Sequence, residues 1–353
     1  MTLTNVLLGD SVAFSNGKSP KLVDGGAFCT YGSNGIIGKS DEFNHENSII
    51  LGRVGAYCGS VHICPEKYWA SDNTIIVNVD ESQDLKYWYY RLKSFPVRNF
   101  AGGAAQPLIT QTCLKPIQLN VHSDLVEQKK VSFILSSYDD LIENNRRRIA
   151  LLEESARLLY KEWFVHLRFP GHEHVKVVDG VPEGWGRKPL GDLLTLQRGF
   201  DLPVRHRKAG SVPIYASTGI NGFHNTAKVK DCGVVTGRSG SLGKVMYVQE
   251  DFWPLNTALW VKEFKAVTPI FATHLLTGMH LEMYNGGAAV PTLNRNDVHR
   301  VDVLSPSDKL INEFEEISKI TYSQLHTLEK YNDKLAEARD LLLPRLMNGE
   351  IEV

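Results

Sequence analysis

The sequence predicts an α+β fold built from two tandem copies of one domain, each a mixed α/β region followed by a long helix. Three observations lead to this prediction: an internal repeat, glycine-rich stretches with short β-branched or aromatic runs, and two long segments with helical spacing of apolar residues. The repeat period is about 184 residues, as from Tyr31 to Tyr215. Solenoid repeats are about 20–50 residues long, so this period indicates duplication of a whole domain.

The repeat is visible in motifs that recur in the same order. Leu8-Gly9-Asp10 recurs as Leu190-Gly191-Asp192, and the Gly-Gly-Ala-Ala motif at 102–105 recurs at 286–289. Further matched residues are Gly52-Arg53 and Gly237-Arg238, Trp69 and Trp253, Asn73 and Asn256, and Pro107 and Pro291. Because the order is kept and the offset changes by only a few residues, we interpret the two halves as copies.

Each copy begins with a globular region, at 1–123 and 186–306. Runs such as 48–51, 74–77 and 233–236 are rich in β-branched residues and predict short strands closed by turns. A helix is expected before each Gly-Gly-Ala-Ala motif, and in the first copy the apolar residues there follow helical spacing. These residues are Leu85, Trp88, Tyr89 and Leu92.

Each copy ends with a long helix, predicted at 124–165 and 307–349. Sustained spacing of three and four residues predicts a coiled-coil seam, and two seams in one chain are expected to pack as an antiparallel coiled coil. A helix of about 40 residues is about 60 Å long, so the pair either serves only as structural support or also sets the distance between the domains. The first seam is Leu135, Tyr138, Ile142, Asn145, Ile149, Leu152, Ala156, Leu159 and Trp163. The second is Phe314, Ile317, Thr321, Gln324, Leu328, Tyr331, Leu335, Ala338 and Leu342.

The composition is that of a soluble protein of about two domains. The chain has 39 basic and 40 acidic side chains, so any surface that binds nucleic acid must be local or shared with a basic partner. Five cysteines without a pairing pattern fit a reducing cytoplasm. We expect no signal peptide and no membrane span, because no apolar run reaches about 18 residues.

The most specific stretch joins the two copies. It contains Leu158–Phe164, Arg168–Glu173 and the segment Val181-Pro182-Glu183-Gly184-Trp185. Further motifs are the two Gly-Gly-Ala-Ala-x-Pro loops and the terminal segment Leu343–Ile351. With the repeated organisation, these motifs resemble the specificity subunit of type I restriction–modification enzymes along essentially the whole chain. The first copy differs, because it has no counterpart of the Pro-x-Gly-Trp segment before it.

The resemblance implies a non-catalytic protein of host defence that uses no cofactor of its own. In that family two methyltransferase subunits and ATP-driven endonuclease/translocase subunits dock on the specificity subunit. Regions 1–123 and 186–306 would be target recognition domains, each reading one half of a split, asymmetric site in double-stranded DNA. Regions 124–165 and 307–349 would be the conserved helices, with a linker at 166–185.

The sequence argues against three kinds of chemistry. An adenine N6-methyltransferase needs an Asn/Asp-Pro-Pro-aromatic loop, and the chain contains no Pro-Pro. The segment 237–243 lacks the Gly-Lys-Ser/Thr ending of a phosphate-binding loop and is interpreted as a tight turn. Cys58, His62 and Cys64 do not supply the four ligands of a closed zinc site, and the second copy has Leu242 and Val248 where the cysteines lie.

Comparison of the copies selects candidate DNA-binding residues without an alignment. Shared arginines suit phosphate contacts or, alternatively, structural ion pairs, whereas loop residues that differ suit base reading in the major groove. A basic run in the second copy is either a solvated loop or a phosphate contact. The candidates are Ser33, Asn34, Arg53, Tyr57, Gln106, Arg205, Arg207, Lys208, Ser217, Thr218, Arg238, Ser239 and Ser241.

The seam positions chosen as candidates for coiled-coil and partner contacts are Ile142, Ile149, Leu152, Leu159, Leu328, Leu335 and Leu342. The alternative function is a pseudo-dimeric protein-interaction scaffold without DNA contact. Genes for an adenine methyltransferase and an ATPase-nuclease beside this one would favour the DNA-specificity hypothesis.

Overall fold

The computed structural model describes residues 3–103, 106–287 and 289–353. Ala104, Ala105 and Ala288 of the repeated motif lie outside the described residues, as do the first two residues of the predicted first domain. The chain forms two compact units, one containing the residues up to Asn145 together with Tyr331–Val353, the other Arg146–Lys330. Within the described ranges, every helix is too short or too polar to cross a membrane.

The first unit is built on a six-stranded sheet with the order β2-β7-β5-β6-β3-β4, and a separate antiparallel pair joins β1 to β8. Its strands are β1 (Leu3–Leu7), β2 (Val12–Asn16), β3 (Phe28–Gly32), β4 (Gly35–Ser40), β5 (His45–Gly52), β6 (Val61–Ala70), β7 (Thr74–Val79) and β8 (Gln118–His122). Its helices are α1 (Leu8–Ser11), α2 (Leu85–Lys93), α3 (Gln111–Leu114) and the first part of α4 (Leu125–Tyr160). The pair β3 and β6 is parallel, and the other neighbours are antiparallel.

The predicted strand runs and the predicted helix of this unit are confirmed. The runs 48–51 and 74–77 lie in β5 and β7 and are buried throughout, as expected for strands in the middle of a covered sheet. Helix α2 begins after Asp84, whose carboxylate accepts a hydrogen bond from the Tyr87 backbone N–H at 2.7 Å. Trp88 and Leu92 on its inner face are fully buried in the same core as β5 and β7.

The second unit has a four-stranded sheet in the order β12-β18-β15-β16 and a three-stranded sheet in the order β14-β13-β17. Its strands are β9 (Val177–Val178), β10 (Val181–Pro182), β11 (Gly186–Pro189), β12 (Leu194–Arg198), β13 (Val212–Ala216), β14 (Gly219–His224), β15 (Gly233–Gly237), β16 (Val245–Val248), β17 (Trp253–Pro254), β18 (Ala258–Phe264) and β19 (Asp302–Ser305). Its helices are α5 (Leu190–Leu193), α6 (Pro269–Gly278), α7 (Arg295–His299) and the first part of α8 (Asp308–Met347). The run 233–236 lies in the buried strand β15, as predicted.

An aromatic cluster anchors the long helices in the second unit. The centroid of the Phe314 ring of α8 lies 5.3 Å from that of Phe164 and 5.9 Å from that of Tyr160. The ring centroids of Phe164 and Phe271 of α6 are 4.9 Å apart. The His274 ring of α6 stacks on Tyr160 at 5.2 Å, and burial lowers the pKa of His274 to about 4. The aromatic residues between the copies therefore belong to the core of this unit.

In the first unit α8 is held by polar and apolar contacts. Asn145 Nδ2 donates to Asn332 Oδ1 at 3.0 Å, and the Arg339 guanidinium donates to the Asp139 carboxylate. Tyr90 of α2 donates to the same carboxylate at 2.6 Å. Leu343, Leu346 and Met347 are buried in the core that contains Leu135 of α4.

The predicted seam of α8 is wrong at alternate positions. Ile317 and Tyr331 are 48% and 58% exposed, and Gln324 is exposed as well. The neighbouring residues Ser318, Leu325, Asn332 and Arg339 lie on the inner face instead, and all are buried or half-buried. Three of these four are polar, and Asn332 and Arg339 have polar partners on α4, so a search for apolar residues alone finds the wrong face.

The seam positions selected as candidates lie inward to different degrees. Ile142 and Leu328 are buried, at 5% and 7% exposure. The others are half-buried, namely Ile149, Leu152, Leu159, Leu335 and Leu342.

Candidate nucleic-acid interface

Three loops of the first unit meet beside the end of β5. They are the turn between β3 and β4, the segment that follows β5, and the segment that leads to α3. Ser33 Oγ donates to the Asn73 carbonyl at 2.7 Å and accepts from the Val54 N–H at 3.3 Å, which joins the first loop to the second. The Gly55 N–H donates to the Pro107 carbonyl at 3.1 Å, which joins the second to the third.

The structure therefore brings the first-unit candidates together, but with different roles. The Ser33 hydroxyl is used in holding the loops and is half-buried. Asn34, Tyr57 and Gln106 are exposed, Tyr57 to 60%, and their side chains are available to a ligand. Arg98, which sequence reasoning missed, is exposed and donates to the Ala56 carbonyl at 2.9 Å, next to Tyr57.

The second unit holds its loops with equivalent main-chain hydrogen bonds. The Gly240 N–H donates to the Pro291 carbonyl at 2.9 Å, as Gly55 does to Pro107. The Arg53 N–H donates to the Asn73 carbonyl at 2.9 Å, and the Arg238 N–H donates at 2.9 Å to the carbonyl of Thr257, one residue after the Asn256 that matches Asn73. The two loop clusters thus share one backbone framework.

A glycine precedes each shared arginine for a steric reason. A Cβ at Gly52 would lie 2.4 Å from the Tyr57 carbonyl oxygen, and one at Gly237 would lie 1.9 Å from that of Ser241. Both distances are far below van der Waals contact, so any side chain would force the loop away from the strand end.

The second-unit candidates differ in exposure. Thr218 and Ser241 are exposed, Ser239 is half-buried, and Ser217 is buried at 7% exposure. Lys244 Nζ donates to the Thr218 carbonyl at 3.0 Å, which places a cation beside this turn.

The shared arginines have no acidic partner within the described residues. Arg238 donates through Nη1 to the Asn256 carbonyl at 3.1 Å, while Arg53 Nε is buried without a hydrogen-bond partner in the part of the chain described. The ion-pair alternative therefore has no support in the described residues. The His62 ring lies close to Gly35, beside these loops, and burial lowers the pKa of His62, so the ring is neutral at pH 7.

Of the three basic candidates Arg205, Arg207 and Lys208, one is held by hydrogen bonds within the second unit. Arg207 donates through Nη2 to Asn221 Oδ1 at 3.0 Å and also to the Asn221 carbonyl, so it ties this loop to β14. Arg205 and Lys208 are exposed on the surface of the loop. Two of the three candidates here thus present their charge to solvent.

The cysteine group in the first unit is packed in the protein interior. Cys58 is 2% exposed and its thiol donates to the Arg53 carbonyl at 3.2 Å. Burial raises the pKa of the Cys58 and Cys64 thiols, which disfavours the thiolate that a metal requires. Within the described ranges no three metal-ligating side chains are grouped together.

Comparisons with known proteins find similarity to one group of proteins. Residues 11–154 match the family model described as the type I restriction modification DNA specificity domain. The type I restriction enzyme MjaIX specificity subunit of Methanocaldococcus jannaschii is 25% identical over 300 residues, which is 76% of this chain and 69% of that protein. The EcoprrI specificity subunit of Escherichia coli is 28% identical over 112 residues, covering 31% of this chain and 28% of that protein.

A solved structure has the same fold. The S subunit of a type I restriction-modification system from M. genitalium superposes with a TM-score of 0.68 at 19% identity, covering 98% of this chain and 96% of that one. The chain is thus similar in sequence to type I restriction enzyme specificity subunits, and it shares the fold of one such S subunit.

Proposed function

We propose that this chain reads a bipartite, asymmetric site in double-stranded DNA and holds methyltransferase and endonuclease/translocase subunits around it, without catalysing a reaction itself. The observation that carries the proposal is the pair of equivalent loop clusters, each built around a shared glycine and arginine, Gly52-Arg53 and Gly237-Arg238. The frameworks match in their hydrogen bonds, whereas the exposed side chains on them differ. Two like frameworks with unlike surfaces suit two unlike half-sites.

The connection of strands supports the proposal of two tandem repeats. In the first unit β1 pairs with β8 and β3 lies parallel to β6. In the second unit β11 pairs with β19 and β13 lies parallel to β17. We therefore keep 1–123 and 186–306 as target recognition domains, 124–165 and 307–349 as the helical regions, and 166–185 as the linker.

Within each loop cluster we assign two roles. Shared Arg53 and Arg238 contact phosphate, which positions the protein without specifying sequence. The exposed residues that differ between copies read base edges, with amide and hydroxyl groups such as those of Gln106 and Ser241 suited to the major groove. Ser33 and Arg207 hold the loops in place through the contacts described above, and Ser217 is buried at 7% exposure. The other base-reading or backbone candidates are Asn34, Tyr57, Arg205, Lys208, Thr218 and Ser239.

We assign partner docking to the helical regions, and propose that α4 and α8 pair as an antiparallel coiled coil. The contacts Asp139–Arg339 and Asn145–Asn332 support the antiparallel register, because residue numbers rise on one helix as they fall on the other. Both helices also carry large apolar side chains exposed to solvent, which a docked subunit would cover. These are Val126, Phe133, Leu141 and Leu151 on α4, and Ile317, Ile320 and Leu341 on α8.

The test is to sequence modified bases in the genome of the host and of a strain that lacks this gene. We expect N6-methyladenine at one motif with two unlike half-sites and a fixed gap, present only when the gene is present. The gene with Gln106→Ala should change the preference in one half-site and leave the other unaltered, whereas Val290→Ala at the equivalent position should leave the half-site read by the first unit unaltered. Identical methylation in both strains would refute the proposal and favour a protein-interaction scaffold.

A further inference from the structure

A groove of about 430 Å³ in the second unit is lined by three arginines from separate parts of the sequence. Arg198 is the last residue of β12, Arg238 follows β15, and Arg295 opens α7. The remaining lining residues are Leu259, Thr292, Leu293 and Asn294. The groove therefore presents hydroxyl and amide groups together with three guanidinium groups, a composition that suits an oxyanion.

The positive charge of the groove is largely uncompensated. Within the described residues the one carboxylate that pairs with the three arginines is Asp201, 3.6 Å from Arg198, and both of these side chains are more than half exposed. Arg238 donates to the Asn256 carbonyl, which leaves its charge in place, and Arg295 is exposed. An exposed ion pair of this length contributes little, so the site attracts anions.

The first unit has equivalent positions, which the backbone defines independently of any sequence alignment. Asn16 ends β2 opposite Ile75 of β7, as Arg198 ends β12 opposite Leu259 of β18. Gln111 opens α3 as Arg295 opens α7.

The hydrogen bonds next to these helix starts agree with this equivalence. The Ile109 N–H donates to the Arg53 carbonyl at 2.9 Å, and the Leu293 N–H donates to the Arg238 carbonyl at 2.8 Å. Each donor lies two residues before the first residue of its helix, Gln111 or Arg295.

The charge differs between these equivalent positions. In the first unit Gln111 Nε2 donates to Asn16 Oδ1 at 3.1 Å, so the two neutral side chains satisfy each other. Of the first-unit positions 16, 53 and 111, only position 53 therefore holds an arginine. In the second unit both neutral residues are replaced by arginine, and the arginines have no such pairing.

We infer that the Arg198–Arg238–Arg295 groove binds neighbouring phosphodiester groups of the DNA backbone, and that the second unit supplies the larger share of sequence-independent affinity. This inference rests on the proposed function, since it names the DNA backbone as the ligand. Guanidinium groups bind phosphate with fixed, bidentate geometry, and each neutralised phosphate releases condensed counterions. The salt dependence of binding therefore reports directly on the groove.

The test measures DNA affinity against salt for the full chain in complex with its methyltransferase subunits. The probe is a fluorescently labelled duplex of random sequence, so base reading does not contribute. Loss of one phosphate contact lowers the slope of log K against log salt by about 0.9, and loss of two by about 1.8. Affinity falls as salt rises from 50 to 200 mM. For Arg198→Gln/Arg295→Gln this fall should therefore be about 3.5-fold to 12-fold smaller than for the wild type.

Three matched variants make the result specific. Arg187→Gln/Lys262→Gln removes two exposed charges of the same unit outside the groove, and its slope should stay close to that of the wild type. Arg198→Lys/Arg295→Lys keeps the charge and should keep most of the slope. Asn16→Arg/Gln111→Arg builds the arginine trio around Arg53 and should steepen the slope.

The outcomes separate the two levels of the proposal. A complex that does not form or does not bind DNA refutes the proposed function itself. A complex that binds DNA but loses no slope in Arg198→Gln/Arg295→Gln, or loses as much in the control at 187 and 262, refutes the groove. Thermal unfolding is measured in parallel, and if the glutamine variant does not fold, an unchanged slope in Asn16→Arg/Gln111→Arg is the refuting result.

Discussion

The Arg339 side chain connects three helices of the first unit, and removing it should destabilise that unit by about 2 kcal/mol. Its guanidinium donates to Asp139 of α4 and, at 2.7 Å, to Asp340 of α8. Asp139 also accepts from Tyr90 of α2 at 2.6 Å. Arg339 is 15% exposed and Asp139 30% exposed, so the pair is shielded from water only in part.

The magnitude follows from these contacts. A hydrogen bond to a charged group contributes about 1.5–3 kcal/mol. Arg339→Met keeps most of the apolar stem, so the loss comes mainly from the charge and its hydrogen bonds. Because water can reach the orphaned Asp139 carboxylate, a value of about 2 kcal/mol in the lower half of that range is expected. For a unit of 150–250 residues this lowers Tm by about 4–8 °C.

The assay is calorimetry of the full chain with a double-mutant cycle through Asp139→Asn. We expect a coupling energy of about 1 kcal/mol or more between the two positions. Lys309→Met is the control, because the Lys309 ammonium lies 3.8 Å from Glu313 on the same helix but is 86% exposed. Its effect should stay within about 0.5 kcal/mol. Coupling below about 0.5 kcal/mol, or equal losses in Arg339→Met and the control, would refute the reasoning.

Three further predictions concern the second unit, the seam and the helix length. Since burial lowers the folded-state pKa of His274 from 6.5 to about 4, stability is lost as pH falls below 6.5, by about 2 kcal/mol at pH 5. His274→Phe should remove that part of the pH dependence, and an unchanged pH dependence of urea unfolding would contradict this. Ile142→Asp, at 5% exposure, should cost about 3 kcal/mol or more, whereas Leu151→Asp, at 71%, should cost little; equal urea midpoints would show that the seam is not packed. Matched seven-residue insertions after Asn145 and after Lys330 lengthen both helices by about 10.5 Å and should add about 3 bp to the gap in the methylated motif. Altered half-sites with an unchanged gap would show that the helices do not set the spacing.

Local periodicity was sufficient for part of this protein. The strand runs at 48–51, 74–77 and 233–236 and the helix that begins at Leu85 were predicted from residues close in sequence, and each is present. The positions predicted to face inward on this first long helix, from Leu135 to Trp163, are all buried or half-buried, and most of them are apolar. The recurrence of motifs such as Gly52-Arg53 and Gly237-Arg238 was also visible in sequence, and a Cβ at either glycine would clash with a carbonyl oxygen.

The tertiary structure decided what depends on contacts between distant residues. The inner face of α8 includes Ser318, Asn332 and Arg339, and sequence alone does not reveal that the last two have partners on α4. The arginine groove could not be predicted from sequence either. Arg198 and Arg295 are far apart in the chain, and they line one groove because β12 and α7 come together in the second unit. The spacing of apolar residues indicates which face of a helix or strand is buried. Only the folded chain determines which polar groups satisfy each other and which remain available to a ligand.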